Sequence, residues 1–272
     1  MSSLGFLLMN VALRFLVTFS CLTGLTRAAV VNVDFNHLAA LIPYTGAAAA
    51  PDGAGPSAVW NSVVRQAWAD TIDTGYLVDS SGNLTSIALS LGINGSHSNP
   101  AGDQERGGGM TGLLSDYVFL SSTSNQLVHQ ESGTISGLIP TNSYEFYFYG
   151  QGDKFTGNVF RGQNTLFTLG GESKQTGWDR TIGGDGLLVE GIEFVRFAAT
   201  AGQDGKIHFT WANVVAGIGG NVVVDQDGWS SKFAAFNAMQ IVDLSAIAVP
   251  EPSTVALACL GLLTLFHRRR AP

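Results

Sequence analysis

Five histidines, twenty-one aspartates and glutamates and two cysteines are the side chains of this chain best suited to reaction chemistry. No Gly-x-Ser-x-Gly elbow is present to raise a serine nucleophile at a strand-to-helix turn. His37, His97, His129 and His208 are scattered, and no two have metal-ligand spacing, which predicts hydrogen-bonded or solvated imidazoles. Glu190 and Glu193 have the residue types of a glycosidase pair. Three apart on a strand, they would face opposite sides, which is wrong for flanking one glycosidic bond. We therefore expect no catalytic residues, no enzyme activity, no metal site and no cofactor. Calcium is the one candidate ion: Asp79-Ser80-Ser81-Gly82-Asn83 and Asp225-Gln226-Asp227-Gly228 place hard oxygens on turns. Neither stretch supplies six ligands, and both form turns without an ion. Trp178 and Trp229, each beside polar residues in a loop, are the candidate glycan contacts, and the alternative for both is packing over the end of a core.

The two ends of the chain carry addresses. Arg14 precedes an apolar run from Phe15 to Leu25, and Thr26-Arg27-Ala28 puts small residues three and one before a cut after Ala28. Residues 1–28 are therefore expected to be a secretory signal peptide. The alternatives are a core element at the N-terminus and lipoprotein cleavage before Cys21, and initiation at Met9 would account for the weakly basic start. At the other end, Val249-Pro250-Glu251-Pro252 is followed by an apolar stretch, Thr254–Phe266, and then by Arg268, Arg269 and Arg270. A helix over Ser253–Phe266 would be about 21 Å long, against roughly 30 Å of hydrocarbon. It would cross as a short transmembrane helix, with snorkelling arginines held on the cytoplasmic side as a stop-transfer signal.

The order of those three parts resembles the PEP-CTERM sorting tail, which is also catalogued as an ice-binding protein C-terminal region. The resemblance covers about the last 24 residues. It implies recognition near Val249, Pro250, Glu251 and Pro252 by exosortase, a membrane-embedded protease or transpeptidase, in bacteria that make exopolysaccharide. An ice-binding role is not expected, because the chain has no Thr-x-Thr.

Between the ends, residues 29–249 hold nine basic and twenty acidic side chains, a net charge of −11. A nucleic-acid partner would need a basic face, and this composition does not supply one. Both cysteines, Cys21 and Cys259, fall in the terminal segments, so the domain has no disulfide or thiolate chemistry. Short alternating runs separated by turn residues predict an all-β fold, a single antiparallel β-sandwich of jelly-roll type over residues 29–248. The sorting tail then occupies residues 249–272.

The predicted strands are Val30–Phe35, Leu84–Leu91, Leu113–Leu120, Thr134–Leu138, Tyr144–Tyr149, Thr165–Leu169, Leu187–Ala198, Lys206–Trp211, Asn221–Val224 and Ala238–Leu244. In the first, Val31, Val33 and Phe35 share one face, with Asn32 and Asp34 on the other. Leu138-Ile139-Pro140 with Tyr144 resembles the tyrosine corner of fibronectin-type sandwiches, which implies a hydroxyl bonded to upstream backbone. The closing Phe236–Ile241 resembles the last strand of carbohydrate-module jelly rolls. Gln203-Asp204-Gly205 predicts a hairpin. Val59, Trp60, Val63, Val64, Ala67 and Trp68 recur at helical spacing, so residues 58–70 read as a helix against a strand-and-loop alternative. The glycine-rich stretch Gly92–Gly112 reads as a disordered loop. The function expected is that of an exported, non-catalytic protein of the envelope or exopolysaccharide matrix. The alternative is a carbohydrate-binding module gripping a glycan through sandwich loops.

Overall fold

The computed structural model describes residues 29–37, 44–50, 53, 55, 57–98, 112–122, 128–152, 163–177, 187–214 and 233–247. Residues Ala28–Ser245 form one compact unit. Its described strands begin with β1 (Val30–Asn36), β2 (Asn61–Val64), β3 (Thr71–Val78), β4 (Leu84–Gly92) and β5 (Gly95–Ser98). They continue with β6 (Asp116–Ser121), β7 (Gln130–Ser136), β8 (Ser143–Tyr149), β9 (Gln151–Gly152) and β10 (Gln163–Leu169). The last are β11 (Glu172–Gln175), β12 (Phe194–Thr200), β13 (Ile207–Asn213), β14 (Phe233–Phe236) and β15 (Ala238–Asp243). No described residue is in an α-helix.

The fold is all-β, built of curled, mainly antiparallel sheets, as expected. One sheet has the order β12-β8-β15-β1-β2. The other runs β11-β10-β13-β7-β4-β3, with β9 paired to β10. A three-stranded sheet, β14-β6-β5, completes the set. Val31, Val33 and Phe35 do point into the core, where they join Phe146 and Phe148 of β8 and Phe167, Phe209 and Trp211 of the opposite sheet. Phe148 is central to it, with ring centroids 4.8 Å from Phe209, 5.2 Å from Phe167 and 5.6 Å from Phe236. Tilted and edge-on rings of this kind combine large apolar burial with favourable quadrupole contacts.

The tyrosine corner is present. The Tyr144 hydroxyl accepts the backbone N–H of Ile139 at 2.9 Å, while Leu138 and the Tyr144 ring are buried. Pro140 is the second residue of a turn closed by Asn142 N–H on Ile139 O at 3.2 Å, and Thr141 takes a left-handed φ of 66° at the third. Gly137, just upstream, has φ 75°, and a Cβ there would lie 1.8 Å from the Ser86 carbonyl oxygen. The turn thus holds the β7–β8 connection tight against β4.

Several expectations are corrected. Residues 58–70 contain no helix: Asn61–Val64 is β2, the parallel neighbour of β1 with Val33 opposite Asn61 and Asn36 opposite Val64. Asn61 fixes this choice, since its amide donates to Asn32 O and Val78 O and accepts Val78 N–H, each within 2.9 Å. Those tertiary bonds outweigh a helical apolar stripe. The glycine-rich stretch is ordered at its start. Ile93 is buried and Gly95–Ser98 pairs with β6, where the Phe119 ring packs so closely on Gly95 that a Cβ would clash at 2.3 Å. Gln203-Asp204-Gly205 is a tight turn, with Gly205 N–H on Gly202 O at 3.0 Å, but it does not join hairpin partners. The strand before it pairs with β8 and the strand after it with β7 and β10, so the turn passes the chain between sheets. Leu187–Val189 precede a turn, and strand pairing in that region begins only at Phe194. The predicted strand Asn221–Val224 lies outside the described residues.

Candidate functional site

The sorting residues Val249, Pro250, Glu251, Pro252, Arg268, Arg269 and Arg270, and the candidate glycan contacts Trp178 and Trp229, all lie outside the described residues. The turn Asp225–Gly228 lies outside them too. The geometry therefore rests on other side chains.

The outward face of the five-stranded sheet is the largest departure from simple alternation. Asn32 and Asp34 of β1 face away from the core, as expected, and Asn36 continues their face, yet all three are buried. Segment 44–50 and residues near Trp60 cover them, packed with Tyr149, Leu113 and Leu114 in a second apolar cluster. Buried polar groups must be paired. Asn32 donates to Gly53 O at 3.2 Å and Val59 O at 3.0 Å, and accepts from Gln240 Nε2 at 2.8 Å. Gln240 Oε1 in turn accepts Ala50 N–H at 2.9 Å and the Tyr149 hydroxyl at 2.6 Å. Desolvation pushes the Tyr149 phenol far above its ordinary range. These polar groups fasten the covering segment to the sheet.

At the end of β1 the polar chemistry concentrates. Asp34 accepts Asn36 Nδ2 at 2.9 Å and a backbone bond from Tyr44. Asp116 accepts the backbone N–H of His37 at 3.3 Å. Burial raises the carboxyl of Asp34 to about 7, with a further push from Asp116, and burial raises Asp116 as well. His37 Nδ1 is 3.1 Å from Ser96 Oγ, and its ring lies 6.4 Å from that of His97. Burial thus favours the protonated form of both carboxyls at this end of β1. Among the described residues, however, no group of three or more His, Cys, Asp or Glu is placed to hold a metal ion. The carboxylates hold His37 and Tyr44, the two residues that flank segment 38–43.

Other candidates resolve into structural roles. Asp79 accepts the N–H groups of Ser81 and Asn83, both at 2.9 Å, and the Asn83 amide. Slight desolvation raises its carboxyl, but those hydrogen bonds together outweigh it and hold the group below the usual carboxylate range. His129 bonds Ser121 O at 3.0 Å and Glu131 Oε1 at 3.1 Å. Glu190 and Glu193 sit in a turn: Glu193 is buried and accepts Val189 N–H at 2.7 Å, while Glu190 faces Arg196 at 3.7 Å.

Three tryptophans are described. Trp60 and Trp211 are buried, whereas Trp68 is 90% exposed and has a left-handed φ of 64°. The helical stripe had grouped Trp68 with Trp60 on one face, so periodicity hid it. The signal that could have revealed it is the polar company of Arg65, Gln66 and Asp70 around it.

Comparison with known proteins adds one match. Residues 248–271 match the PEP-CTERM protein-sorting motif, the span containing Val249–Pro252 and Arg268–Arg270. This bears out the resemblance of the tail. The chain is thus an exported protein, held in the membrane before it is processed by exosortase. No curated protein matches the chain.

Proposed function

We propose that this is a non-catalytic protein of the bacterial envelope or exopolysaccharide matrix, directed there by a signal peptide over residues 1–28 and by its C-terminal tail. The sorting motif at residues 248–271 carries the reading. The sandwich supports it, since Asn32, Gln240 and Asn237, buried polar side chains, are hydrogen-bonded into the joints between segments. Calcium at Asp225–Gly228 and glycan contacts at Trp178 and Trp229 are additional proposals for the loops.

In this reading Pro250 and Pro252 hold the motif out of the following helix, because proline fixes φ near −65° and biases its predecessor toward extended backbone. The arginines then stop transfer, each costing about 2.5–3.5 kcal/mol at the bilayer centre on insertion scales. Glu251→Ala should leave export intact and block processing, giving a larger membrane-held form. Replacing Arg268–Arg270 with serine should release unprocessed protein. Immunoblots of membrane and medium fractions test both, and normal maturation of the Glu251 variant would remove the basis of the assignment.

A further inference from the structure

The turn between β2 and β3 displays Trp68 at a cost. A left-handed φ of 64° is unfavourable for a bulky side chain and free for glycine. Packing does not offset it, because the indole is 90% exposed. The turn itself is well held: Arg65 Nε donates to Ala69 O at 2.9 Å, Ala69 N–H to Gln66 O at 3.1 Å and Ile93 N–H to Asp70 O at 2.9 Å. Strain kept at an exposed indole, with no packing benefit, motivates a functional hypothesis.

The neighbouring sheet face supplies a second, independent observation. Strand register aligns Asp73, Ser90, Thr134 and His208 in one transverse row across β3, β4, β7 and β13. A second row aligns Ser132, Thr210, Thr168 and Ser173 across β7, β13, β10 and β11. None of these eight side chains is buried. Adjacent groups stand about 4.8 Å apart across the strands, and Thr134 Oγ1 lies 3.0 Å from His208 Nδ1. Trp68 lies five residues before Asp73, within about 17 Å by chain reach. An exposed indole within chain reach of a row of hydroxyl, carboxylate and imidazole groups matches a pyranose chain, whose rings offer an apolar C–H face and a rim of hydroxyls. The net charge of −11 over residues 29–249 opposes polyanions and anionic bilayers.

We propose that the β2–β3 turn and the adjoining polar rows form a binding site for a neutral polysaccharide. Trp68 stacks on a sugar ring, and Asp73, Ser90, Thr134 and His208 bond its hydroxyls. The proposal rests on the exported, non-catalytic reading and deepens it.

The test is affinity electrophoresis of the full chain, kept in a polyoxyethylene detergent, through gels containing galactomannan, dextran or laminarin. Polygalacturonate gels and flotation with phosphatidylcholine–phosphatidylglycerol vesicles run beside them. The wild type should be retarded by at least one neutral polymer. Trp68→Gly should weaken that affinity at least tenfold while melting at or above the wild-type temperature. Trp68→Tyr should keep part of the affinity, and Asp73→Asn or His208→Ala should weaken it severalfold. Wild-type affinity in Trp68→Gly, loss only in Trp178→Ala or Trp229→Ala, absence of any neutral-glycan retardation, or binding confined to polygalacturonate or vesicles each overturns the site. Immunoblots of the same strains separate the two readings: normal processing without glycan binding sinks this site and leaves the sorting assignment standing.

Discussion

The side-chain oxygen of Asn237 accepts the backbone N–H of Gln151 at 2.8 Å, joining the point where β14 becomes β15 to the point where β8 becomes β9. The Asn237 amide donates to Leu114 O and Asp116 O, both at 3.2 Å, and its own backbone bonds Tyr149 O and Phe35 N–H. One fully buried residue therefore ties together strands of all three sheets, its side chain reaching β9 and β6 and its backbone reaching β8 and β1.

Replacing Asn237 with alanine leaves a buried N–H and two buried carbonyls without this partner. Each such group costs about 1–3 kcal/mol, so a loss on the order of 4 kcal/mol is expected in urea unfolding. A change under 1 kcal/mol would show that the junction is held by packing alone.

Two left-handed residues near the tyrosine corner should respond oppositely. Thr141 is β-branched at φ 66°, so Thr141→Gly should stabilise by about 0.5–1 kcal/mol. Thermal melting should rise by about 2–3 °C. Gly137→Ala would drive a Cβ to 1.8 Å from Ser86 O, and about 3 kcal/mol or more should be lost.

Asp34 makes stability depend on pH. Its folded carboxyl, raised by burial to about 7 from 3.8, binds more protons than the unfolded chain between those values. Stability should fall as pH rises through that window and then level off, by on the order of 4 kcal/mol in all. Asp34→Asn should flatten most of this slope, leaving the share of Asp116, which is shifted the same way. Urea midpoints at pH 5, 6, 7 and 8 decide it, and an unchanged slope in the variant would refute the assignment.

Deleting Pro250–Pro272 should change where the protein goes and not whether it folds, since the last described strand ends at Asp243. Circular dichroism and melting of residues 29–249 check this. An insoluble or molten product would mean that the tail contributes to the core.

Period-two patterning was enough to place β1, β4, β8, β10, β13 and β15, because an apolar face against a core must alternate. Leu138, Pro140 and Tyr144 announced their corner because each residue there has a local conformational reason. The tail was readable for the same cause: proline, a short apolar run and arginines act through their own chemistry, without a fold. What only the tertiary structure decided is pairing at a distance. Asn61 makes β2 a parallel neighbour of β1 in place of a helix, and Asn32 and Asp34 are buried because residues far along the chain come to cover them. Trp68 shows the same limit from the opposite side, since an indole that periodicity assigns to a core is exposed once its stretch is a strand and a turn. Hydrogen-bond partners twenty to two hundred residues apart leave no period in a sequence, so their consequences appear only when the sheets are assembled.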